Sequence, residues 1–345
     1  MVLVFVMALA LWGIGAWMQA PVRLRLVMIA GLWGGVVLAH AVLPAVNPVR
    51  VATGGDLRVW LALGVVAAGV AGYRAAVVWL RRRAAPVPPP TPAGTFRPAE
   101  LDRYARHIML REIGGPGQKA LKNARVLVVG AGGLGAPALM YLAGSGVGVI
   151  GVIDDDVVEG SNLQRQIIHT DQRIGMPKVF SAEAAMRALN PFIEVCPYHR
   201  RLDDAFAMAL IADYDLVLDG TDNFDTREMV NRVCAHLGKP LISGAITQWE
   251  GQVTLFDPAR GAPCRACIFP HRPAPGLVPT CAEAGVAAPL PGVIGALMAL
   301  EAVKEITGAG EGLRGRMMIF DALYADSRVI KVARRAGCAV CGGLH

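Results

Sequence analysis

The chain has 345 residues, 54% of them hydrophobic and only 18% charged, which excludes a disordered or fibrous protein and leaves room for one large or two ordinary domains. Its formal charge of +7 comes from 34 basic and 27 acidic residues, yet residues 1–97 carry nine Arg and one acid, Asp56, so the remainder is near neutral. A positive excess in the least polar stretch, flanking long apolar runs, points to a membrane and away from nucleic acid.

Three runs in residues 1–83 read as transmembrane helices: Val2 to Met18, Leu26 to Val46, and Val59 to Leu80, the last broken only by Arg74. Arg23 and Arg25 lie between the first two, and Arg81, Arg82 and Arg83 follow the third, so both groups belong inside. The start then lies outside and everything after Arg83 in the cytoplasm: a multi-pass protein of the inner (cytoplasmic) membrane. A secretory signal peptide is the alternative for the first run, but it lacks a basic start and a small-residue cleavage site. His40 reads as packing, since nothing in the sequence pairs with it. Residues 84–98 hold six prolines, among them Pro88, Pro89 and Pro90, and read as an extended tether.

Residues 99–345 alternate between helical and strand patterns. A helix over Ala99 to Glu112 is ended by Gly114, Gly115, Pro116 and Gly117, and a strand follows at Arg125 to Val129. It runs into Gly130-x-Gly132-Gly133-x-Gly135 and a helical stretch to Gly144, then a strand over Val147 to Ile153 that ends in Asp154, Asp155 and Asp156. Further on come a helix at Ser181 to Leu189, a strand at Ile193 to Pro197, a helix at Asp204 to Ile211, and the strand Leu216 to Leu218 leading into Asp219 to Asn223. After a helix at Thr226 to Leu237, strand patterns recur at Pro240 to Ser243 and Gly251 to Phe256. This alternation predicts an α/β, Rossmann-like, doubly wound and mostly parallel sheet with C-terminal strands, whose site lies at the strands' carboxyl ends.

Small residues in a strand–loop–helix turn let backbone N–H groups approach a phosphate, and Asp154, twenty-four residues after Gly130, is placed to accept from a ribose hydroxyl. That pattern alone also fits an NAD-dependent oxidoreductase, but no arrangement in the chain identifies a hydride-transfer site. The remaining polar residues suit phosphate chemistry, with Arg106, Arg165 and Lys178 as candidate cations and Asp154, Asp156 and Asp222 as candidates for ribose or magnesium. Asp155 points away from its neighbours in an extended stretch and reads as a bystander.

Over residues 99 to 345 the chain resembles the MoeB/ThiF/HesA family, bacterial relatives of ubiquitin-activating enzymes. The resemblance rests on Arg103-Tyr104-Ala105-Arg106, Gly130 to Gly135, Asp154 to Asp156, Ser161-Asn162-Leu163-Gln164-Arg165-Gln166, Gly175-Met176-Pro177-Lys178, Asp219 to Asn223, Gly244, Glu250-Gly251-Gln252, Thr280-Cys281, Glu283 to Val286 and two cysteine pairs. Among subgroups it is most similar to molybdopterin-synthase adenylyltransferase; the membrane segment is outside that pattern, and His107 replaces a glutamine of some members.

The resemblance implies that ATP and the C-terminal Gly-Gly carboxylate of a ubiquitin-like sulfur-carrier protein give an acyl adenylate and pyrophosphate, in molybdopterin or alternatively thiamine biosynthesis. It implies that Gly130, Gly132, Gly133 and Gly135 approach the phosphates and that Asp154, with Asp156, holds the nucleotide. Ser161, Asn162, Arg165 and Lys178 cradle the triphosphate, and Asp222 organises Mg2+. Arg106 matches an arginine supplied to a neighbouring subunit, which implies a homodimer. A membrane scaffold without chemistry ranks last, because every matched polar position is present.

Cys264-x-x-Cys267 and Cys338-x-x-Cys341 supply four thiolates, the donor set of a closed structural Zn2+ site, with no position left for a catalytic water. Cys281 stands in a Gly-, Pro- and Ala-rich segment, Pro273 to Gly292, that reads as a mobile crossing over the site; related sulfur-transfer enzymes use a cysteine there to engage the carrier or its sulfur. Cys196 and Cys234 read as core.

Overall fold

The computed structural model describes residues 1–83, 96–272 and 284–343, and the chain divides into two compact units, Met1–Pro89 and Pro90–His345. In the first, α1 spans Val2–Trp17, α2 Val22–Val42, α3 Pro48–Thr53 and α4 Leu57–Arg83. Pro21 prevents α1 from running on, so α2 starts before the uncharged run and includes Arg23 and Arg25. The Arg25 Nε donates to Ala20 O at 2.8 Å and its guanidinium lies over Trp12. Two windows, Val22–Val42 and Leu57–Val77, are long and apolar enough to cross a membrane, with mean hydropathy 1.7 and 1.5. With 16 residues α1 is about 24 Å long, short of a hydrocarbon core of about 30 Å. Of the three helices expected, two are thus long and apolar enough to cross a membrane, and α1 is a shorter apolar helix. His40 does have a partner: its Nε2 lies 2.9 Å from Thr53 Oγ1 on α3, beside Trp60.

The second unit contains α5 (Pro98–Ile108), α6 (Gly114–Asn123), β1 (Arg125–Val129), α7 (Gly135–Ser145), β2 (Val149–Ile153), α8 (Lys178–Leu189), β3 (Glu194–Tyr198) and α9 (Asp204–Ala212). It continues with β4 (Leu216–Asp219), α10 (Phe224–Leu237), β5 (Leu241–Ile246), β6 (Glu250–Phe256), the single turn α11 (Arg265–Ile268), α12 (Pro289–Thr307), β7 (Arg316–Asp321) and β8 (Asp326–Lys331). The eight strands form one sheet in the order β3-β2-β1-β4-β5-β6-β7-β8. The first five are parallel and the last three antiparallel, so the sheet is mixed. The change of direction follows from connection length: only residues 247–249 separate β5 from β6, enough for a hairpin and too few for a crossover.

The apolar strands of the parallel half are buried on both faces, and successive residues serve opposite cores. Val126 and Val128 of β1 pack with Leu139, Leu142, Ile294 and Met298 under α7 and α12, whereas Leu127 and Val129 pack with Ile211, Tyr214 and Val230 under α9 and α10. The helix α12 lies close on β5 and β6: a Cβ on Gly244 would sit 2.4 Å from Met298 Sδ, and one on Gly251 2.3 Å from Ile294 Cγ1.

Several sequence expectations need correction. Gly114 to Gly117 open α6 instead of merely ending the helix before it: Gly114 has φ +57°, and Pro116 stands in the first turn, where its missing N–H has no partner to lose. The tether's last residue, Pro98, starts α5, while residues 84–95 lie outside the described residues. The segment expected to cross the site ends in helix, because α12 begins at Pro289; Cys281 lies outside the described residues. Cys234 is buried in the core, but Cys196 is only half-buried.

Candidate functional site

A cleft of about 1180 Å³ opens at the carboxyl ends of β1, β2, β4 and β5, where helix N-termini and loop N–H groups converge. After β1 the chain turns at Gly130, with φ +94°, and the Gly130 N–H donates to Ile153 O at 2.9 Å. Gly130, Gly132 and Gly133 line the cleft. Gly135 does not; a Cβ there would lie 1.9 Å from Gly130 O, so it is required by the close passage of loop and helix.

Asp154, at the end of β2, accepts from the Ala131 N–H at 2.7 Å through Oδ2 and from the Asp156 N–H at 2.8 Å through Oδ1. Burial pushes its carboxyl above the usual value, against the opposing pull of the Ala131 N–H and the Lys178 charge. Lys178 is buried at the start of α8 and pairs with Asp156 at 2.7 Å. Asp155 is not turned away: one carboxylate oxygen from each of Asp154, Asp155 and Asp156 lies within 4.8 Å of the others, because the backbone leaves the strand at Ile153 and the side chains no longer alternate.

Arg165 lines the cleft and donates to Asn162 Oδ1 at 2.8 Å. Ser161 and Asn162 are not among the lining residues; both donate to Glu159, at 3.3 and 3.2 Å. Asp222 is exposed in the loop from β4 to α10 and lines the cleft. That loop is shaped by buried Asp219, whose Oδ1 accepts from the Thr221 N–H at 3.1 Å and hydroxyl at 2.7 Å. The structure thus gathers Gly130, Gly132, Gly133, Asp154, Asp156, Arg165, Lys178 and Asp222. It does not bring Arg106 there: this residue, on α5, lines a separate hollow of about 190 Å³ with Arg103, Tyr141 and Ser145.

Four further residues shape the cleft. Gln166 is buried with its Nε2 near Gly132, and its Oε1 has no hydrogen-bond partner among the described residues. His169 lies beneath the loop; its Nε2–H donates to Ala131 O at 3.0 Å and its Nδ1 accepts from the Ser181 hydroxyl at 2.9 Å. Burial holds its pKa below the ordinary histidine value. Arg227 donates to Thr221 O and, at 2.8 Å, to Gly244 O, tying the ends of β4 and β5 together. Arg265, between the first two paired cysteines, also lines the cleft. Gln166 lies in the motif Ser161 to Gln166, where nothing in the sequence gives it a role, and nothing in a Cys-x-x-Cys spacing marks the residues inside it.

The four paired cysteines converge, with Sγ separations of 3.9 Å for Cys264–Cys267, 3.6 Å for Cys264–Cys338 and 3.4 Å for Cys267–Cys341. Thiolates bound tetrahedrally to zinc at about 2.3 Å stand about 3.8 Å apart, so the donor set and spacing fit Zn2+. An open phosphate-sized turn, two cations and an unpartnered buried acceptor likewise fit a nucleotide in the cleft.

The ThiF family model matches residues 104–340. A sulfur carrier protein adenylyltransferase of Thermus thermophilus is 48% identical over 70% of this chain and 91% of its own length. A SAMP-activating enzyme E1 of Haloferax volcanii is also 48% identical, over 70% and 89%. The adenylyltransferase and sulfurtransferase MOCS3 of Bos taurus is 45% identical over 75% of this chain and 57% of that relative. Among solved structures, Escherichia coli MccB with ATP superposes with a TM-score of 0.63 at 24% identity, over 70% of this chain and 75% of that one, a likeness of fold. With its glycine turn, aspartates and paired cysteines in place and most of its length matched, the chain belongs to the ThiF family.

Proposed function

We propose that this chain uses ATP to adenylate the C-terminal Gly-Gly carboxylate of a ubiquitin-like sulfur-carrier protein, releasing pyrophosphate, in molybdopterin biosynthesis. The equivalent step of thiamine biosynthesis is the alternative. The observation that carries the reading is the convergence of the glycine turn, Asp154, Arg165, Lys178 and Asp222 on one cleft. Similarity to the Thermus adenylyltransferase and to MOCS3 supports the adenylyl transfer, and the sequence resemblance to molybdopterin-synthase adenylyltransferase supports the pathway.

A carboxylate is ionised at neutral pH, so its attack on the α-phosphate needs no strong base; alignment and charge neutralisation are what the protein must supply. A carboxylate oxygen forms the bond to the α-phosphorus, the bond to the β-phosphate oxygen breaks, and pyrophosphate leaves with that electron pair. Backbone N–H groups around Gly130, Gly132 and Gly133 approach the phosphates, and Gly135 keeps the turn compact. Asp154 faces the ribose while holding the turn through Ala131. Lys178 exchanges Asp156 for phosphate, and Arg165 does likewise while Asn162, backed by Glu159 and Ser161, sets its direction. Asp222 is the side chain that would hold Mg2+, which neutralises phosphate charge when bound. The four cysteines would hold Zn2+ as a fastening, without a chemical step.

Arg106 lies away from the cleft of its own chain, which accords with service to a second copy in a homodimer. The apolar helices α2 and α4 support an anchor in the inner membrane with the catalytic unit in the cytoplasm. Cys281 is the candidate for linkage to the carrier or its sulfur. Exchange of labelled pyrophosphate into ATP tests the activity: it should require a carrier with a free C-terminal carboxylate, and exchange absent with every carrier, or tight nicotinamide binding, would overturn the reading.

A further inference from the structure

Sheet order places two groups of cations on opposite sides of the glycine turn. Lys178 reaches the cleft from the β2 side, where it meets Asp156, and Arg165 stands beside Gly133. Beyond β4, on the other side, stand Arg227, Arg265 and Arg272. Arg272 is neutralised by Glu228, at 2.7 and 2.6 Å, and by Asp225 at 2.8 Å. Arg227 is occupied by the carbonyls of Thr221 and Gly244.

Arg265 differs from both. It is 9% exposed, and its backbone N–H donates to Asn231 Oδ1 at 2.7 Å. Its guanidinium carbon lies 5.8 Å from the Phe224 ring centroid and 5.4 Å from that of Phe269. The rings hold the cation in place without using its N–H donors. Asp219 and Glu228 act on its charge through space, but their oxygens accept hydrogen bonds from Thr221 and Ser243 and from Arg272. Among the described residues none accepts a hydrogen bond from the Arg265 guanidinium, which faces the cleft with its planar fork of donors uncommitted.

A reaction between two anions needs both charges met, and Arg165 with Lys178 serves the triphosphate. We infer that Arg265 receives the terminal carboxylate of the carrier, holding it on the β5 side of Asp222 for attack on the α-phosphate; this rests on the adenylation reading above. A guanidinium matches a carboxylate two-to-two, whereas a lysine there would offer a point charge. The residue is pinned by its neighbours in sequence, since Cys264 precedes it directly and Cys267 follows two residues later. The four-thiol site therefore fixes the backbone of a substrate-binding residue as well as the C-terminal tail.

The test uses the full-length protein and the carrier that the wild type adenylates, prepared as the free acid and as the C-terminal amide. Arg265→Ala should raise the carrier KM about ten- to a hundredfold and leave the ATP KM within about twofold, the loss expected for a charge-assisted bond to one substrate only. It should keep its zinc and lose the wild type's preference for acid over amide in direct binding, and Arg265→Lys should restore part of both. An unchanged carrier KM, a retained preference for the acid, or loss of zinc or of ATP binding in Arg265→Ala would overturn the inference while leaving the adenylation reading intact. A wild type that transfers AMP to no carrier overturns the adenylation reading and this inference with it.

Discussion

Asp154 and His169 act on the same turn from two sides, one accepting from the Ala131 N–H and the other donating to the Ala131 carbonyl. The glycine turn is thus held at one peptide pair before any nucleotide enters, which reduces the ordering that binding must impose. The cost appears at low pH. The pKa of His169 is lowered by burial, so the unfolded chain binds its proton first; stability present above about pH 6.5 is lost progressively as pH falls below it. The thermal midpoint should decline from about pH 6.5 towards 5, and His169→Gln should make that decline shallower. Asp222 carries a different burden: exposed and at the mouth of the cleft, it contributes little to the fold. Asp222→Ala should lower ATP–pyrophosphate exchange about a hundredfold or more with the thermal midpoint unchanged, as for loss of one electrostatic stabiliser. Residues of this kind were legible in the sequence because a motif fixes their order. Asp155 was misread because strand alternation was extended past Ile153, where the strand ends.

At the scale of elements, α11 and the C-terminal tail depend on the four thiols. Cys264 and Cys267 bracket one helical turn, and Cys338 and Cys341 come after the last strand. Arg335 adds a 3.5 Å bond to Ala266 O, too weak to hold the tail alone. Stripping zinc with a strong chelator should make residues 332–343 accessible to protease and lower the thermal midpoint, both reversed by added Zn2+. Strands β1 to β6 were readable from apolar runs and their flanking turns. The helices α6 and α12 were not, for a shared reason: each opens with Gly and Pro, residues that read as breakers until the first turn, where they are tolerated, is seen. The packing of α12 on Gly244 and Gly251 explains why glycine stands inside two strands, which periodicity alone does not reveal.

For the whole molecule, Arg106 and Asp222 line separate hollows of one chain, so the proposed sharing of Arg106 between copies has a direct test. Mixing Arg106→Ala and Asp222→Ala proteins, each nearly inactive, should restore about a quarter of the wild-type sites if subunits pair at random under twofold symmetry. No recovery after verified subunit exchange would argue against sharing. The cleft, the four-cysteine cluster and the fold class were legible because each is specified by short segments of fixed spacing. Helix boundaries in the N-terminal unit were less so, because uniform apolarity marks where an apolar run lies but Pro21 and Pro44 decide where its helix starts and stops. Adenylyl transfer to a carrier's C-terminus is read out by the mass of that carrier after incubation with the full-length protein, ATP and Mg2+. The carrier should become heavier by one AMP, with equal pyrophosphate released and no change in a carrier blocked at its C-terminal carboxylate; pyrophosphate-free hydrolysis of ATP with every carrier left unmodified would contradict adenylyl transfer.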